Sequence, residues 1–135
     1  MKSDLRKIAL EARERAYAPY SGFLVGAALV SDSGEVFSGC NVENVSFGLT
    51  MCAERVAVGA AVAAGQTAFS EIVIVSDSEV PIVPCGACRQ VLAEFNPGLE
   101  ITSWTLSGTS AKMNLAALLP SPTQGMIEPN VPRGT

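Results

Sequence analysis

Apolar positions along the chain change period several times, and each change marks an element. Leu5, Ile8, Ala9, Ala12 and Ala16 recur at helical spacing with Lys and Arg on the other side, and Ser3 stands where a cap belongs, so the spacing predicts a helix over residues 3–17. "FLVGAALVS" and "EVFSGCNV" are apolar or alternating runs joined by "DSG", which predicts a β-hairpin with strands near 23–31 and 35–42. After a polar, irregular stretch, "CAERVAVGAAVAAG" has the alanine-rich composition of a buried helix that stops at Gly65. "EIVIVSD" predicts a short buried strand near 71–76, and "CGACRQVLAEF" a helix preceded by Pro84 and closed by "NPG". "EITSWTLS" predicts a strand near 100–106, and "SAKMNLAALLP" a short edge strand followed by one helical turn.

The resulting order, α-β-β-α-β-α-β-β-α, describes one α/β domain with helices packed on a mixed sheet. From Pro120 onward, Pro122, Pro129 and Pro132 interrupt any regular pattern, so residues 121–135 are expected to form an extended tail on a domain of residues 1–120.

Composition sharpens this picture. A chain of 135 residues suits a single domain that buries its core without disulfide staples. Hydrophobic residues make up 48% and charged residues only 16%, a thin charged surface that points to cover by other copies of the chain. A formal charge of −4 argues against a nucleic-acid polymer as partner, because such binders need clustered Lys and Arg; a small neutral ligand fits better. The first residues carry charges throughout and the run "VAVGAAVAAG" is too short to span a bilayer, so the expected location is cytoplasmic, without membrane partners. In that compartment thiols stay reduced, and four cysteines with a close pair suggest metal or catalysis before disulfides.

The chain contains no histidine, which excludes a Ser-His-Asp triad, a Cys-His pair and any imidazole ligand. Acid-base work must fall to a carboxylate, lysine, tyrosine or thiol. Cys85 and Cys88 alone leave metal, redox and packing roles open. Cys52 alters the balance, because it opens the second helix as Cys85 and Cys88 open the third, and positive helix ends favour the thiolates that metals need. Three thiolates suit Zn²⁺ and leave the fourth tetrahedral position for water. Glu54, two residues after Cys52, stands near such a metal without being a ligand, placed to take a proton from water and deliver it to a substrate.

"CAER" followed by "PCGACRQ", together with "AYAPYSGFLVGAAL", "GCNVEN" and "LLP", resembles the cytidine deaminase family of the short, homotetrameric, three-cysteine type over nearly all of residues 1–120. The resemblance implies a cytidine deaminase-like α/β/α sandwich, with a mixed sheet of about five strands and helices on both faces. It implies one Zn²⁺ per subunit on Cys52, Cys85 and Cys88, with Glu54 as proton shuttle in the hydrolysis of free cytidine and 2′-deoxycytidine to uridine and 2′-deoxyuridine with release of ammonia, a step of pyrimidine salvage. It further implies Phe23 against the base, Asn41 and Glu43 on the ribose hydroxyls, and Arg55 near the cysteines, where a cation offsets part of the thiolate charge. Arg89, next to Cys88, is a candidate for the same task. One departure stands out: family members of this type tend to carry an aromatic residue where this chain has Thr123, which keeps open an aminohydrolase for a modified cytosine nucleoside of the blasticidin type.

Plainer readings stand beside these. Cys40 could complete a closed four-cysteine structural zinc site, making the protein a noncatalytic binding module, although its place within a strand favours a small core residue. Glu54 alone would be a favourable charge in a first helical turn, Phe23 a core residue, Asn41 and Glu43 ordinary polar groups at a strand end, and Arg55 and Arg89 solvated helix charges. Trp104 and Tyr20 are expected to serve packing.

Overall fold

A computed structural model describes residues 2–122, with side chains from Asp4 onward. Ser3, expected as a cap, falls inside the first helix, which already begins at Lys2, while Thr123 and most of the proline-rich tail lie outside the described residues. Five strands form one mixed sheet in the order β2-β1-β3-β4-β5. The hairpin β1 (Val25–Ser31) and β2 (Val36–Cys40) pairs antiparallel, β1 also pairs antiparallel with β3 (Phe69–Ser76), β3 runs parallel to β4 (Glu100–Thr105), and β5 (Ser110–Asn114) closes the far edge antiparallel. The parallel pair requires a crossover, which α3 (Gly86–Phe95) provides.

Alternation along the strands divides the side chains between two layers. Ala28, Val73 and Val75 meet Leu5 and Ala9 of α1 (Lys2–Arg13) on one face. Val25, Ala27, Leu29, Ile72, Ile74 and Ile101 meet Ala53 and Ala57 of α2 (Ala53–Ala63) and Leu92 of α3 on the other. Two glycines in the hairpin set how closely these helices lie. A methyl group at Gly26 would be driven into the Ala9 carbonyl oxygen and the Arg13 backbone nitrogen, and one at Gly39 into the Ala53 carbonyl oxygen and the Ala57 nitrogen. The start of α2 therefore rests directly on the β2 backbone, a contact only glycine permits.

The expected α/β sandwich with helices on both faces is what the chain forms, and its element order agrees with the sequence pattern. The boundaries differ where backbone groups find partners outside their own element. The first helix ends at Arg13 rather than at 17, because the Tyr17 N–H donates to the Asn41 carbonyl at 2.9 Å and draws the chain into a bridge beside Val42. β1 begins at Val25 rather than 23, since the amides of Phe23 and Leu24 are bound by side chains. β2 spans 36–40 instead of 35–42, because Val42 pairs with Met51 rather than continuing the hairpin. β3 starts at Phe69, gaining Ser31↔Phe69 through a register shift in β1.

α2 ends in the predicted place: Gly65 takes a positive φ of 89°, and Gln66 N–H and Gly65 N–H donate to the Ala61 and Val62 carbonyls. Trp104 packs as expected beneath the Arg6 guanidinium, 4.4 Å from its ring centre, whereas Tyr20 is an exposed loop residue rather than a packing one. Gly39→Ala should lower stability by at least about 1–3 kcal/mol, the range for overpacking a core. A urea midpoint equal to that of the parent would contradict this account of helix seating.

Candidate metal centre and cleft

α2 and α3 start side by side over one end of the sheet, and each is capped by a cysteine. Cys52 and Cys85 occupy the N-cap positions in extended backbone, and Cys88 lies one turn into α3, where its N–H donates to the Cys85 sulfur at 3.5 Å. The three sulfurs lie within 4.8 Å of one another, with Cys52 and Cys85 3.9 Å apart and Cys85 and Cys88 3.4 Å apart. A tetrahedron of sulfurs around zinc has edges of about 3.8 Å, from the usual Zn–S length of about 2.3 Å. The trio therefore fits zinc without rearrangement of the backbone.

Charge points the same way. Cys52 is held as a thiolate, its pKa pushed down to about 5 first by a hydrogen bond from the Cys88 thiol, with Arg55 and Cys85 adding to it against partial burial. Cys88, the donor of that bond and wholly buried, is pushed up correspondingly. The protein groups alone favour the charge on Cys52 over one on Cys88, and a divalent cation is what allows these sulfurs to ionise together. Arg55 makes the expected contact, its Nη2 donating to the Cys52 sulfur at 3.6 Å and to the Thr50 carbonyl at 3.2 Å. Arg89 does not. Its guanidinium donates to the Pro84 carbonyl at 2.8 Å and the Leu118 carbonyl at 3.1 Å, tying the loop before Cys85 to α4 (Leu115–Leu118) instead of shielding sulfur.

Cys52 and Cys85 open into a cleft of about 310 Å³ that Phe23, Asn41 and Glu54 also line, within the size range of small-ligand sites. Glu54, in the first turn of α2, is only 3% exposed, and its carboxyl is pushed up to about 7, chiefly by desolvation. Phe23 presents a partly exposed ring at the cleft wall. Asn41 is buried and clamps the wall's backbone: its Oδ1 accepts from Val25 N–H at 2.9 Å and its Nδ2 donates to the Phe23 carbonyl at 2.8 Å, leaving one N–H free of these bonds. Glu43 does not line the cleft. Its carboxylate secures the preceding loop, accepting from Tyr20 N–H at 3.0 Å, Ser21 N–H at 3.1 Å and the Ser21 hydroxyl, bonds that lower its pKa, the hydroxyl most of all.

Cys40 pairs across the hairpin with Gly26, so it shares the α1 face of the sheet while the thiol trio lies over the opposite face. Among the described residues, the cluster able to hold a metal is Cys52, Cys85 and Cys88, with Cys40 outside it. Sequence reasoning passed over Val25, Ile82 and Val83, apolar cleft residues; the last two immediately precede Pro84 and Cys85, and their partial exposure beside the cysteines marks them only in three dimensions.

The profile of the family described as "Cytidine and deoxycytidylate deaminase zinc-binding region" matches residues 1–101, which contain the whole trio and Glu54. The chain belongs to this family. It is 46% identical over 121 residues to a cytidine deaminase of Sporosarcina psychrophila, covering 87% of this chain and 89% of that protein. The crystal structure of cytidine deaminase from Burkholderia pseudomallei superposes with a TM-score of 0.86 at 49% identity, covering 89% of this chain and 97% of that one. A Blasticidin-S deaminase of Bacillus cereus is 33% identical over 104 residues, 71% of this chain and 74% of that protein. Zinc is thus the metal both of the family and of the thiol geometry found here.

Removing Cys40 and removing a trio member should separate cleanly. Cys40→Ser should keep one zinc per chain by elemental analysis, whereas Cys88→Ser should fall well below one. Zinc loss in Cys40→Ser would return a closed four-cysteine site to consideration.

Proposed function

We propose that this deaminase-family chain hydrolyses free cytidine and 2′-deoxycytidine to the corresponding uracil nucleosides and ammonia, with Cys52, Cys85 and Cys88 holding one zinc per subunit and Glu54 moving the protons. The observation that carries this reading is the buried Glu54 carboxyl, poised near neutrality in the cleft that two of the three thiols also line. When bound, zinc supplies Lewis acidity that makes water nucleophilic near neutral pH.

Glu54 takes a proton from the attacking water as oxygen bonds to ring carbon 4, and delivers it to ring nitrogen 3. The same carboxylate then carries the remaining hydroxyl proton to the exocyclic amine, the carbon–nitrogen bond breaks, and ammonia leaves with its electron pair. A pKa close to the working pH suits a group that must accept and return a proton in one turnover. Burial serves both steps, because it keeps bulk water from competing for that proton.

Substrate contacts follow from what remains unused. The Phe23 ring offers an apolar face to a pyrimidine. Asn41 has an N–H beyond its two backbone bonds, and the ionised Glu43, held on the Ser21 loop outside the cleft lining, keeps about one of a carboxylate's four acceptor sites for a sugar hydroxyl that extends past the cleft.

Val45, Phe47 and Leu49 are 77%, 81% and 66% exposed on one segment before Cys52, beside exposed Val42 and Tyr17. Apolar exposure on this scale supports self-association, and the resemblance to the short three-cysteine type makes a homotetramer the working form proposed. A catalytic domain of residues 1–120 with a proline-rich tail, and a cytoplasmic role in pyrimidine salvage, complete the reading; the four free thiols suit a reducing compartment. No described helix is long and apolar enough to cross a membrane.

Glu54→Ala should retain zinc while kcat for cytidine falls by at least about a hundredfold, the low end for a general acid-base group; retained turnover would remove Glu54 from this role. A substrate panel including blasticidin S should show cytidine and deoxycytidine turned over in preference, and the reverse order would shift the assignment to the modified-nucleoside reading. Sedimentation equilibrium should give four times the 14.0 kDa chain mass, and a monomer at working concentration would contradict the covered-surface argument.

A further inference from the structure

The segment Phe23–Val25 forms a cleft wall in which three successive amides are each held by a side chain, one from the same loop and two from distant parts of the chain. Phe23 N–H donates to the Ser21 hydroxyl at 3.0 Å, Leu24 N–H to Asp77 Oδ2 at 2.9 Å, and Val25 N–H to Asn41 Oδ1 at 2.9 Å. Strand pairing does not supply these bonds: Phe23 and Leu24 precede β1, and the amide of its first residue, Val25, is taken by Asn41. Phe23 and Val25 both face the cleft, and Leu24 lies between them.

Asp77, just past the end of β3, is itself oriented. Its Oδ1 accepts from both Nε and Nη2 of Arg13, the last residue of α1, at 2.5 Å each. Both side chains are mostly withdrawn from solvent, at 16% and 24% exposure, so the pair holds a fixed geometry better than a surface pair would. The fork occupies one carboxylate oxygen and turns the other toward Leu24. A layer on the far side of the sheet from the thiols is thereby coupled to the cleft wall through one carboxylate.

We propose that Asp77, oriented by Arg13, is a positioning residue for nucleoside binding: by fixing the Leu24 amide it sets where Phe23 and Val25 stand against the base. The proposal rests on the nucleoside reading of the cleft. Neither residue is among the thiol trio or the groups lining the cleft with Glu54, so their effect falls on substrate affinity rather than on metal or proton transfer.

Steady-state kinetics on the zinc-loaded protein separate this from a role in stability alone. Asp77→Ala should raise KM for cytidine about tenfold, the scale of one hydrogen bond to a charged group, with kcat within about twofold and zinc content unchanged. Asp77→Asn keeps a carbonyl acceptor for Leu24 N–H and should bring KM back to within about threefold of the parent. Arg13→Met should fall between them. Amide exchange gives a readout independent of turnover: the Leu24 amide should lose protection in Asp77→Ala.

An unchanged KM in Asp77→Ala with only a lowered melting temperature overturns the proposal, as does a fall in kcat with KM intact. If Asp77→Ala does not fold, Arg13→Met decides by the same split, and an unchanged KM there overturns it too. A parent protein inactive toward every cytosine nucleoside sinks the nucleoside reading, whereas Leu24 exchange indifferent to Asp77→Ala sinks the brace itself.

Discussion

Three sulfurs meet because two helices begin at the same place. An N-cap residue has extended backbone and sits where the helix's unpaired N–H groups converge, so a cysteine there lies in a positive field that favours thiolate. Cys52 and Cys85 both use that position and Cys88 follows one turn later, bringing all three sulfurs within ligand distance of a common centre. The arrangement holds only if α2 can sit directly on the hairpin, and Gly39 removes the one side chain that would lift it away. The apolar face shared by α2, α3 and the sheet then locks both helix starts in register, so the metal centre inherits its geometry from the core.

The same packing produces the site's electrostatics. Glu54 follows Cys52 by two residues at the start of α2 and is buried by the seating that brings the helix down, and that burial is the leading reason its carboxyl rises toward neutrality. Arg55 comes next in sequence and turns toward the Cys52 sulfur, giving the thiolate cluster a cation that it needs more than an imidazole cluster would. A tetrapeptide thus carries a thiol of the cluster, a buried carboxyl and a cation that contacts that thiol, each aimed by its position in one helical turn. The cleft wall opposite is built differently, from a segment outside the regular sheet whose amides answer to Ser21, Asp77 and Asn41.

Much of this was legible in the linear chain because it is local. Helix and strand identity followed from apolar period, and the trio from cysteines placed at helix starts, since both depend on spacing within one element. What could not be read there depends on which element reaches which. The helix end at Arg13 rather than 17 is set by the Asn41 carbonyl, a partner far along the chain. Arg89 stands beside Cys88 in sequence yet serves the Pro84 and Leu118 carbonyls, because adjacent helical residues point to different sides. Glu43 shares a stretch with Asn41 but reaches the Ser21 loop instead of the cleft, and Asp77 carried no local signal of its tie to Leu24. Cys40, read as lying within a strand, is excluded from the metal by strand alternation, which becomes decisive once its partner Gly26 is known to face α1.

The central claim is a zinc ion bound by three thiolates with one position left for chemistry. X-ray absorption at the zinc edge of the native protein tests it most directly. Three sulfur scatterers at about 2.3 Å and one lighter neighbour are expected. Four sulfurs, or a shell without sulfur, would contradict the account.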